Sequence, residues 1–429
     1  MNKRIQSLRG FHDLVPGETE HWRDLEGVAH SLCGRYGFRE IRPAIVEPTE
    51  LFVRSVGAST DIVGKEMFSF GPEAESVSLR PEITASVCRA YLERGLSRKG
   101  SSRLYYVGPA FRRERPQKGR LRQFHQIGIE VFGEPAPVTD AEVLALGRDL
   151  VETAGVSTYE ILINSLGDDA CRPQYREILV RALSELSDEL CDDCQRRIDR
   201  NPLRVLDCKK NRCRERFEGL PKSADHLCGD CREHFDGVRN GLAKLGIEAR
   251  LDPTLVRGLD YYVRTSFEIR AGGLGAQNAV LGGGRYDGLV EQLGGPPTPA
   301  IGWAAGIERI LIAAGLADQE APARLDAYLV TLGDRARERA LGFVQELRHT
   351  GLSVGWDTSG RGLGGQMKRA DRSGARFAVL IGDDELERGS VTLKDLTTGE
   401  QSEGPPDPEM LAEHLFKLMS FHGAETRRQ

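Results

Sequence analysis

Two strand-like segments joined by a basic loop, between Ser102 and Gly133, constrain the fold of this chain more than any other feature. In the second segment, HQIGIEVFG, the side chains of Ile127, Ile129 and Val131 point to one face of a strand, and the residues between them point to the other. The first segment, SRLYYVGPAFRRE, also has the composition of a strand. We therefore predict an antiparallel sheet that presents polar groups on one face.

The loop between these segments is densely basic, with Glu114 as the only acidic residue among its cations. The cations are Arg112, Arg113, Arg115, Lys118, Arg120 and Arg122. A solvated surface loop is one explanation. However, Phe111 and Phe124 flank the charges, and Arg112 stands at the end of a strand, from which a side chain can enter a cleft. Because the net charge of the chain is −5, contact with nucleic acid would have to use local basic patches like this one.

The length of 429 residues predicts two or three domains, and a hydrophobic content of 39% is enough to form their cores. No apolar run approaches the roughly 18 residues that a membrane span needs. The first residues, MNKRIQSLRGFHDLVPGE, lack the apolar segment of a signal peptide. We therefore expect a cytoplasmic protein without a membrane segment.

The order of helix and strand patterns predicts three regions. Residues 1–320 should form an α+β domain with an antiparallel sheet, interrupted by a charged, helical and cysteine-rich insertion over residues 168–252. After it, AYLVTL, LSVGW and RFAVLIG are short apolar strands separated by helical patterns, which is typical of βαβ units. Residues 325–425 should therefore form a separate α/β domain.

Six of the nine cysteines lie between Cys191 and Cys231. In a reducing compartment such a cluster is more typical of a metal site than of disulfides. The motifs CDDC and CGDC predict a structural Zn²⁺ site formed by Cys191, Cys194, Cys228 and Cys231. Two further cysteines, Cys208 and Cys213, leave other ligand choices open, and reduced cysteines that simply pack in a helical insertion are the alternative.

Familiar phosphate-binding motifs are missing. GASTDIVGKE has Ser59 and Glu66 where a P-loop needs glycine and a hydroxyl residue, and GGGRYDG does not match the dinucleotide motif. Instead, FRRERPQKGRLRQFHQIGIEVFG resembles motif 2 of class II aminoacyl-tRNA synthetases, and GWAAGIERI resembles motif 3. LVRGLDYY and GGGRYDGL are similar to the two histidine-specific motifs of the histidyl-tRNA synthetases, and LRPEITA and RGFHDLVPGE match the same family in order.

The resemblance spans nearly the whole chain and implies a class II synthetase fold with a C-terminal anticodon-binding domain. It also implies ATP-dependent attachment of L-histidine to tRNA(His) through a histidyl-adenylate. In such a site Arg112 would hold the α-phosphate, Arg309 the distal phosphates, and Arg120 with Glu114 the nucleotide, while Mg²⁺ would neutralise the remaining charge. Arg257 would lie over the α-phosphate, so Arg112 and Arg257 would be the catalytic residues. A buried structural ion pair is the alternative for Arg257.

By the same resemblance, Glu130 would accept a hydrogen bond from the histidine ring, and Tyr262 would bond the other ring nitrogen. A site of this kind rejects apolar analogues, because they leave its buried polar groups unpaired. The full set implied for histidine binding is Glu82, Thr84, Gln126, Glu130, Arg257, Tyr261, Tyr262 and Tyr286.

The tip of the basic loop is implied to hold the end of the tRNA acceptor stem through Arg115, Gln117 and Lys118. In the C-terminal domain, the basic residues of GRGLGGQMKRADRSGAR are consistent with anticodon binding, although a solvated helix face is the alternative. These residues are Arg361, Lys368, Arg369, Arg372 and Arg376. The family also implies a homodimer.

One alternative function is the catalytically silent relative that regulates ATP phosphoribosyltransferase. That protein generally lacks the anticodon domain and a complete RGLDYY motif, and the sequence contains candidates for both. Another alternative, an RNA-sensing domain fused to a kinase, would require kinase motifs, and none is found.

Overall fold

The computed structural model describes residues 4–57, 60, 62–72, 75–275, 278–319, 321 and 325–425. The chain divides into two compact units, Met1–Gln319 (unit 1) and Glu320–Gln429 (unit 2). The predicted domain limits at residues 1 and 320 lie outside the described residues. In the described part of the chain, none of the helices combines the length and apolar character needed to span a bilayer.

Unit 1 is built on a large sheet. Within the described residues its strands are, from one edge to the other, β1 (Arg39–Glu40), β5 (Ser102–Phe111), β6 (Gln123–Phe132), β11 (Ala300–Gly306), β10 (Ala279–Arg285), β9 (Val263–Ala271), β7 (Tyr159–Ser165) and β8 (Arg250–Leu251). The inner strands pair antiparallel, and only the short edge strands β1 and β8 run parallel to their neighbours. The two segments that flank the basic loop are β5 and β6, which confirms the predicted antiparallel sheet.

The remaining elements of unit 1 are a small antiparallel sheet and a set of helices. The small sheet has the order β2 (Val46–Pro48), β4 (Val77–Leu79), β3 (Phe68–Phe70). The α-helices are α1 (Thr19–Arg35), α2 (Thr49–Val56), α3 (Thr84–Glu93), α4 (Pro137–Thr153), α5 (Arg172–Glu185), α6 (Asp192–Arg200), α7 (Asn211–Arg214), α8 (Gly229–Lys244), α9 (Leu289–Gln292) and α10 (Ile307–Ala313). Single helical turns of other types occupy Ile62–Glu66, Leu96–Lys99, Ser187–Glu189, Pro202–Val205 and Ser223–His226.

Apolar cores cover both faces of the large sheet. Ile127, Ile129 and Val131 of β6 belong to a first core, together with residues of α1, α4, α8 and α10. Tyr106 of β5 and Phe132 of β6 belong to a second core with α3 and α5. Because neighbouring side chains of a strand point to opposite faces, the sheet separates the two cores. The alternation predicted for HQIGIEVFG is therefore confirmed.

The region predicted as an insertion, residues 168–252, contains α5, α6, α7 and α8. These helices do not pack as one group. Tyr175, Leu179 and Ile198 of α5 and α6 lie in the second core, whereas Phe235 and Val238 of α8 lie in the first. The chain thus passes from one face of the sheet to the other within this region.

Unit 2 contains a five-stranded sheet in the order β13 (Val354–Trp356), β12 (Leu325–Leu332), β14 (Ala375–Gly382), β15 (Val391–Asp395), β16 (Gln401–Gly404). The three apolar segments predicted as strands are the parallel strands β12, β13 and β14. The antiparallel hairpin β15–β16 was not predicted. The helices are α11 (Asp334–His349), α12 (Leu363–Arg372), α13 (Asp383–Arg388) and α14 (Pro408–Glu425).

Candidate active site

An open cleft of about 980 Å³ lies on the face of the large sheet that carries the second core. Its floor comes from β6, β9, β10 and β11, and residues of the insertion form one wall. The predicted arginines Arg112, Arg120, Arg257 and Arg309 all line this cleft, together with Glu114. The structure therefore brings every residue predicted for ATP into one cavity.

Arg112 leaves the end of β5 and is fixed on two sides. Its Nε donates to the carbonyl oxygen of Pro81 at 2.8 Å, and its guanidinium carbon lies 5.3 Å from the centre of the Phe124 ring. Arg120 lies in the loop before β6 and donates from Nη1 to Glu114 Oε2 at 2.6 Å. Glu114 thus holds Arg120 at the cleft, and both cations come from the loop that joins β5 to β6.

Arg309 lies on α10 and faces the same space. Its Nε donates to the carbonyl oxygen of Ala279 at 2.7 Å, and its Nη1 lies 3.3 Å from the carbonyl oxygen of Gly119. Burial, and after it the positive charge of Arg120, lowers the pKa of Arg309 to about 10. Cations that disfavour one another in this way create a site that favours a polyanion.

Arg257 rests on the glycine-rich strand β10. A Cβ atom on Gly282 would lie 2.3 Å from its guanidinium nitrogens, so only glycine lets the side chain lie flat there. Arg257 Nη1 donates to Glu268 Oε1, and Glu268 Oε2 accepts from Arg270 Nε at 2.9 Å. Burial is the largest single influence and lowers the pKa of Arg257, but the Glu268 carboxylate together with Tyr262 and Tyr261 outweighs it, so the pKa is raised. Arg257 is therefore both ion-paired and directed into the cleft.

Two buried polar atoms at the cleft could each form a hydrogen bond with a ligand. Gln126 Oε1 and Arg257 Nε are buried, and neither has a hydrogen-bond partner among the described residues. Both side chains line the cleft. Because a buried polar atom without a partner costs roughly 1–3 kcal/mol, a bound molecule that pairs with them gains affinity and selectivity.

A buried polar cluster around Glu130 lies beside the cleft and does not line it. Glu130 is 1% exposed. Its Oε1 accepts from Thr84 Oγ1 at 2.7 Å and faces Tyr106 Oη at 3.5 Å, and its Oε2 accepts from Tyr286 Oη. Burial raises the pKa of Glu130 to about 8, against these hydrogen bonds. A Cβ atom on Gly302 would lie 2.0 Å from Glu130 Oε2, so the neighbouring strand must carry glycine there.

The other residues predicted for histidine complete this cluster. Glu82 accepts from the backbone N–H groups of Thr84 and Ala85, each at 2.8 Å, and so caps the start of α3. Burial raises the pKa of Glu82. The ring of Tyr261 lies 4.7 Å from that of Tyr262 and 5.6 Å from that of Tyr286 between centroids. The structure thus gathers Glu82, Thr84, Glu130 and the three tyrosines, with Gln126 and Arg257 at the adjoining cleft.

The segment LVRGLDYY is held in place by the insertion. Arg172 Nη2 donates to the carbonyl oxygen of Tyr262 at 2.7 Å. Asn201 Nδ2 donates to Asp260 Oδ1 at 3.0 Å, and Arg204 donates to the carbonyl oxygen of Gly258. The residues of this segment therefore depend on helical parts of the insertion, outside the sheet, for their position.

The residues predicted for tRNA lie apart from the cleft, at the tip of the β5–β6 loop. Gln117 and Arg120 exchange two backbone hydrogen bonds of 3.0 and 2.9 Å, and Gly119 closes the turn with a φ of 70°. The side chains of Arg115, Gln117 and Lys118 are exposed, and Lys118 Nζ is 3.9 Å from Asp318. The loop thus presents them to solvent while its base faces the cleft.

The predicted zinc ligand set is wrong as a single site. Cys191 and Cys194 cluster with Cys208 and Cys213, whereas Cys228 and Cys231 cluster with Asp168 and Cys171. The physical reason is the path of the insertion. The first CxxC motif begins α6, which packs in the second core, and the other begins α8, which packs in the first.

Sequence reasoning missed several residues of the site. Glu268 lies on the same face of β9 as Arg270, and the alternation in SFEIR could have placed it there. Tyr106 lies opposite Gly128 on β6, and a Cβ on that glycine would clash with its ring at 2.2 Å. Asp168 precedes the first cysteine of the insertion, and no pattern in the sequence marked it.

The antiparallel sheet, the arginine-lined cleft on one of its faces and the basic loop between β5 and β6 are the parts of a class II aminoacyl-tRNA synthetase. A family model described as histidyl-tRNA synthetase matches residues 10–310, and one described as an anticodon binding domain matches residues 326–408. The chain therefore belongs to the histidyl-tRNA synthetase family.

Individual relatives agree with this assignment. The histidine–tRNA ligase of Desulfitobacterium hafniense is 48% identical, over 94% of this chain and 96% of that protein. That of Geobacter sulfurreducens is 47% identical, over 96% of this chain and the whole of that protein. The crystal structure of apo histidyl-tRNA synthetase from S. aureus superimposes with a TM-score of 0.78 at 36% identity, covering 96% of this chain and all of the other.

Proposed function

We propose that the protein ligates L-histidine to tRNA(His) in an ATP-dependent reaction that passes through a histidyl-adenylate. The observation that carries this proposal is the meeting of four arginines around one cleft, directly beside the buried cluster of Glu130. A polyanion and a small polar side chain can be bound side by side in such a site. Membership of the histidyl-tRNA synthetase family supports the same reaction.

In the first step, a carboxylate oxygen of histidine attacks the α-phosphorus of ATP. The bond from that phosphorus to the bridging oxygen breaks, and pyrophosphate leaves with the electron pair. Arg112 and Arg257 stabilise the charge that gathers on the α-phosphate, and Arg120 and Arg309 hold the rest of the nucleotide, with Glu114 positioning Arg120. Preorganised cations of this kind usually contribute more to such catalysis than any other single effect. ATP enters as its Mg²⁺ complex, so the metal ion arrives with the substrate.

Histidine is recognised by the buried polar cluster. Glu130 accepts hydrogen bonds from Thr84 and Tyr286 and faces the Tyr106 hydroxyl at 3.5 Å, and the oxygens of a carboxylate can accept about four. A place therefore remains for a ring N–H, while Tyr262 bonds the other nitrogen. Glu82, Thr84 and Gln126 bind the α-ammonium end, and Tyr261 and Tyr286 form the wall.

In the second step, a hydroxyl of the 3′-terminal ribose of the tRNA attacks the histidyl carbonyl, and AMP leaves. Arg115, Gln117 and Lys118 hold the acceptor end, where phosphate contacts position the strand and Gln117 contacts a base.

Unit 2 binds the anticodon through α12 and its flanks, where Lys368, Arg369 and Arg372 are exposed. Arg361 and Arg369 are held by Asp357 at 3.3 and 3.5 Å, and Arg376 by Asp395 at 3.1 Å. A homodimer and a cytoplasmic location complete the proposal. A structural Zn²⁺ also belongs to it, with ligands that differ from the set predicted from the two CxxC motifs.

The regulatory subunit of ATP phosphoribosyltransferase is the rival function. Its fold is similar, since a Bacillus halodurans structure described as that subunit or histidyl-tRNA synthetase superimposes with a TM-score of 0.63 at 19% identity. The match of residues 326–408 to an anticodon binding domain favours the ligase. So does the position of Arg257 in the cleft.

Histidine-dependent exchange between ATP and labelled pyrophosphate tests the proposal on the full chain. We expect exchange with histidine and none when histidine is omitted. Charging of tRNA(His) should follow with the same preparation. A protein that binds histidine in calorimetry but shows neither exchange nor charging would be a binding module and not a ligase.

A further inference from the structure

We propose that the insertion binds two Zn²⁺ ions at separate sites, one formed by four cysteines and one by an aspartate and three cysteines. All nine cysteines lie within the described residues, and seven of them fall into two clusters. In each cluster the ligand atoms lie within 4.8 Å of one another. Tetrahedral coordination by thiolate and carboxylate ligands is the geometry that zinc prefers in proteins.

The first site, which we call the knuckle site, consists of Cys191, Cys194, Cys208 and Cys213, all of them buried. The Sγ atoms of Cys191 and Cys208 are 3.9 Å apart. With Zn–S bonds of about 2.3 Å, a tetrahedron has edges of about 3.8 Å, so the spacing already fits the ion. The backbone N–H of Cys191 points at Cys213 Sγ at 3.3 Å, which stabilises a thiolate at that position.

The knuckle site is poorly explained as ordinary packing. Isolated thiols are weak hydrogen-bond partners, and four of them converge here on one point from three separate segments of the chain. All four cysteines are free, and the 3.9 Å between the Sγ atoms of Cys191 and Cys208 exceeds the sulfur–sulfur bond of a disulfide, about 2.05 Å. A metal ion at the centre gives each sulfur a strong partner.

The second site, which we call the neck site, consists of Asp168, Cys171, Cys228 and Cys231. Asp168 Oδ1 lies 3.7 Å from Cys171 Sγ and 3.9 Å from Cys228 Sγ. The other oxygen of Asp168, Oδ2, accepts from Arg264 Nη2 at 3.0 Å. The carboxylate is thus oriented by an outer partner, as ligating carboxylates commonly are, and its Oδ1, which also accepts from the backbone N–H of Ala170 at 3.1 Å, faces the sulfurs.

The two sites have different positions in the insertion. Asp168 and Cys171 follow β7 directly, and Cys228 and Cys231 begin α8. An ion at the neck site therefore ties together the points where the chain enters and leaves residues 172–227. The knuckle site lies within the loop that an ion at the neck site would close, and an ion at the knuckle site would fix the fold of a part of that loop. Because structural zinc contributes its binding energy to folding, both ions should hold the insertion in its native arrangement.

Elemental analysis of the full chain, purified without chelators from cells supplied with zinc, tests the proposal. We expect two zinc ions per chain, and all nine cysteines as free thiols after denaturation in the presence of a chelator. One zinc ion, no zinc, or disulfides among the seven clustered cysteines would each overturn the two-site proposal. This measurement does not depend on catalytic activity.

Substitutions then assign the ligands. Cys194→Ser and Asp168→Asn should each reduce the zinc content from two ions to one. Cys33→Ala is the matched control, since this buried cysteine lies in α1 outside both clusters, and it should keep both ions. A cluster variant that keeps both ions would overturn the ligand assignment at its site.

Cobalt substitution of the wild-type chain gives a second measurement if Cys194→Ser does not fold. The insertion should bind two Co²⁺ per chain, with the visible absorption of tetrahedral coordination and the thiolate-to-metal absorption of bound cysteines. A spectrum without these bands would overturn the proposal.

Discussion

Replacing Glu130 with glutamine should remove the pH dependence that this side chain adds to the stability of unit 1. In the folded protein, burial raises the pKa of Glu130 from 4.5 to about 8. Between these values the folded chain keeps a proton that the unfolded chain has released, so the free energy of unfolding falls as the pH rises. One such group contributes about 1.4 kcal/mol per pH unit, or about 5 kcal/mol over the whole interval. Glutamine cannot ionise, so the Glu130→Gln variant does not lose this part of its unfolding free energy as the pH rises.

Urea unfolding of wild type and Glu130→Gln between about pH 5 and about pH 8 measures the effect. Trp22 and Trp303 are buried in unit 1, so a Trp356→Phe background lets fluorescence report this unit alone. The unfolding free energy of the variant minus that of wild type should increase by about 1.4 kcal/mol for each unit by which the pH is raised.

Glu134→Gln is the matched control, because the ion pair with Arg103 lowers the pKa of Glu134. A carboxylate of this kind stabilises the fold above its ordinary pKa and loses its effect in acid. The deficit of the Glu134→Gln variant should therefore stay constant over this range and shrink only below pH 4.5.

Kinetics on the Glu130→Gln protein test the proposed contact with substrate. The KM for histidine should rise strongly and the KM for ATP should change little, because the ring N–H of bound histidine is proposed to donate to the ionised carboxylate, whereas the amide can offer N–H in its place. A stability difference that does not vary with pH would show that Glu130 is ionised in the fold. An unchanged histidine KM would remove Glu130 from the pocket.

Four further outcomes are expected. Arg257→Ala should lower kcat for adenylation by roughly two to three orders of magnitude, with a smaller change in the KM for ATP and partial recovery in Arg257→Lys. Thermal melting and single-turnover adenylation on one preparation decide this, and normal kinetics per folded molecule would favour the ion-pair explanation. Gly282→Ala should slow the same step, because its Cβ would lie 2.3 Å from the guanidinium, whereas Gly272→Ala, with nothing within 4 Å, should not; equal rates in both variants would contradict the packing argument. Removal of residues 320–429 should leave adenylate formation detectable and sharply weaken charging of tRNA(His), and unchanged charging would exclude unit 2 as the anticodon reader. Chelation of zinc should expose residues 172–227 to protease while pyrophosphate exchange partly survives, and an unaltered digestion pattern would count against a structural metal.

The sequence predicted those parts of the fold that rest on local periodicity. Alternation in HQIGIEVFG identified β6 and assigned Ile127, Ile129 and Val131 to one core, because side chains on a strand alternate strictly between its faces. The hairpin β15–β16 was missed, since its strands are short and mostly polar. The attachment of α8 to the first core was also missed, because no local pattern records which face of a sheet a helix will cover.

The candidate site was predictable where residues stand in recognisable motifs. Arg112, Arg257 and Arg309 were named from such motifs, and all three line one cleft. The cysteine pairing failed because spacing along the chain does not state which pairs meet in space. Glu268 escaped notice because its role depends on a partner, Arg257, that lies on another segment.

The segment LVRGLDYY is held by hydrogen bonds from Arg172, Asn201 and Arg204. This matters for any attempt to change the amino-acid selectivity of the protein by mutation. These side chains lie outside the sheet, yet Arg172 and Arg204 bind backbone carbonyls of this segment and Asn201 binds the Asp260 carboxylate, so together they position the segment that carries Tyr262. A mutant library confined to the pocket wall therefore omits positions that set its shape. Libraries that also randomise the neighbours of these residues can shift this segment by small amounts without replacing any group proposed to contact the substrate.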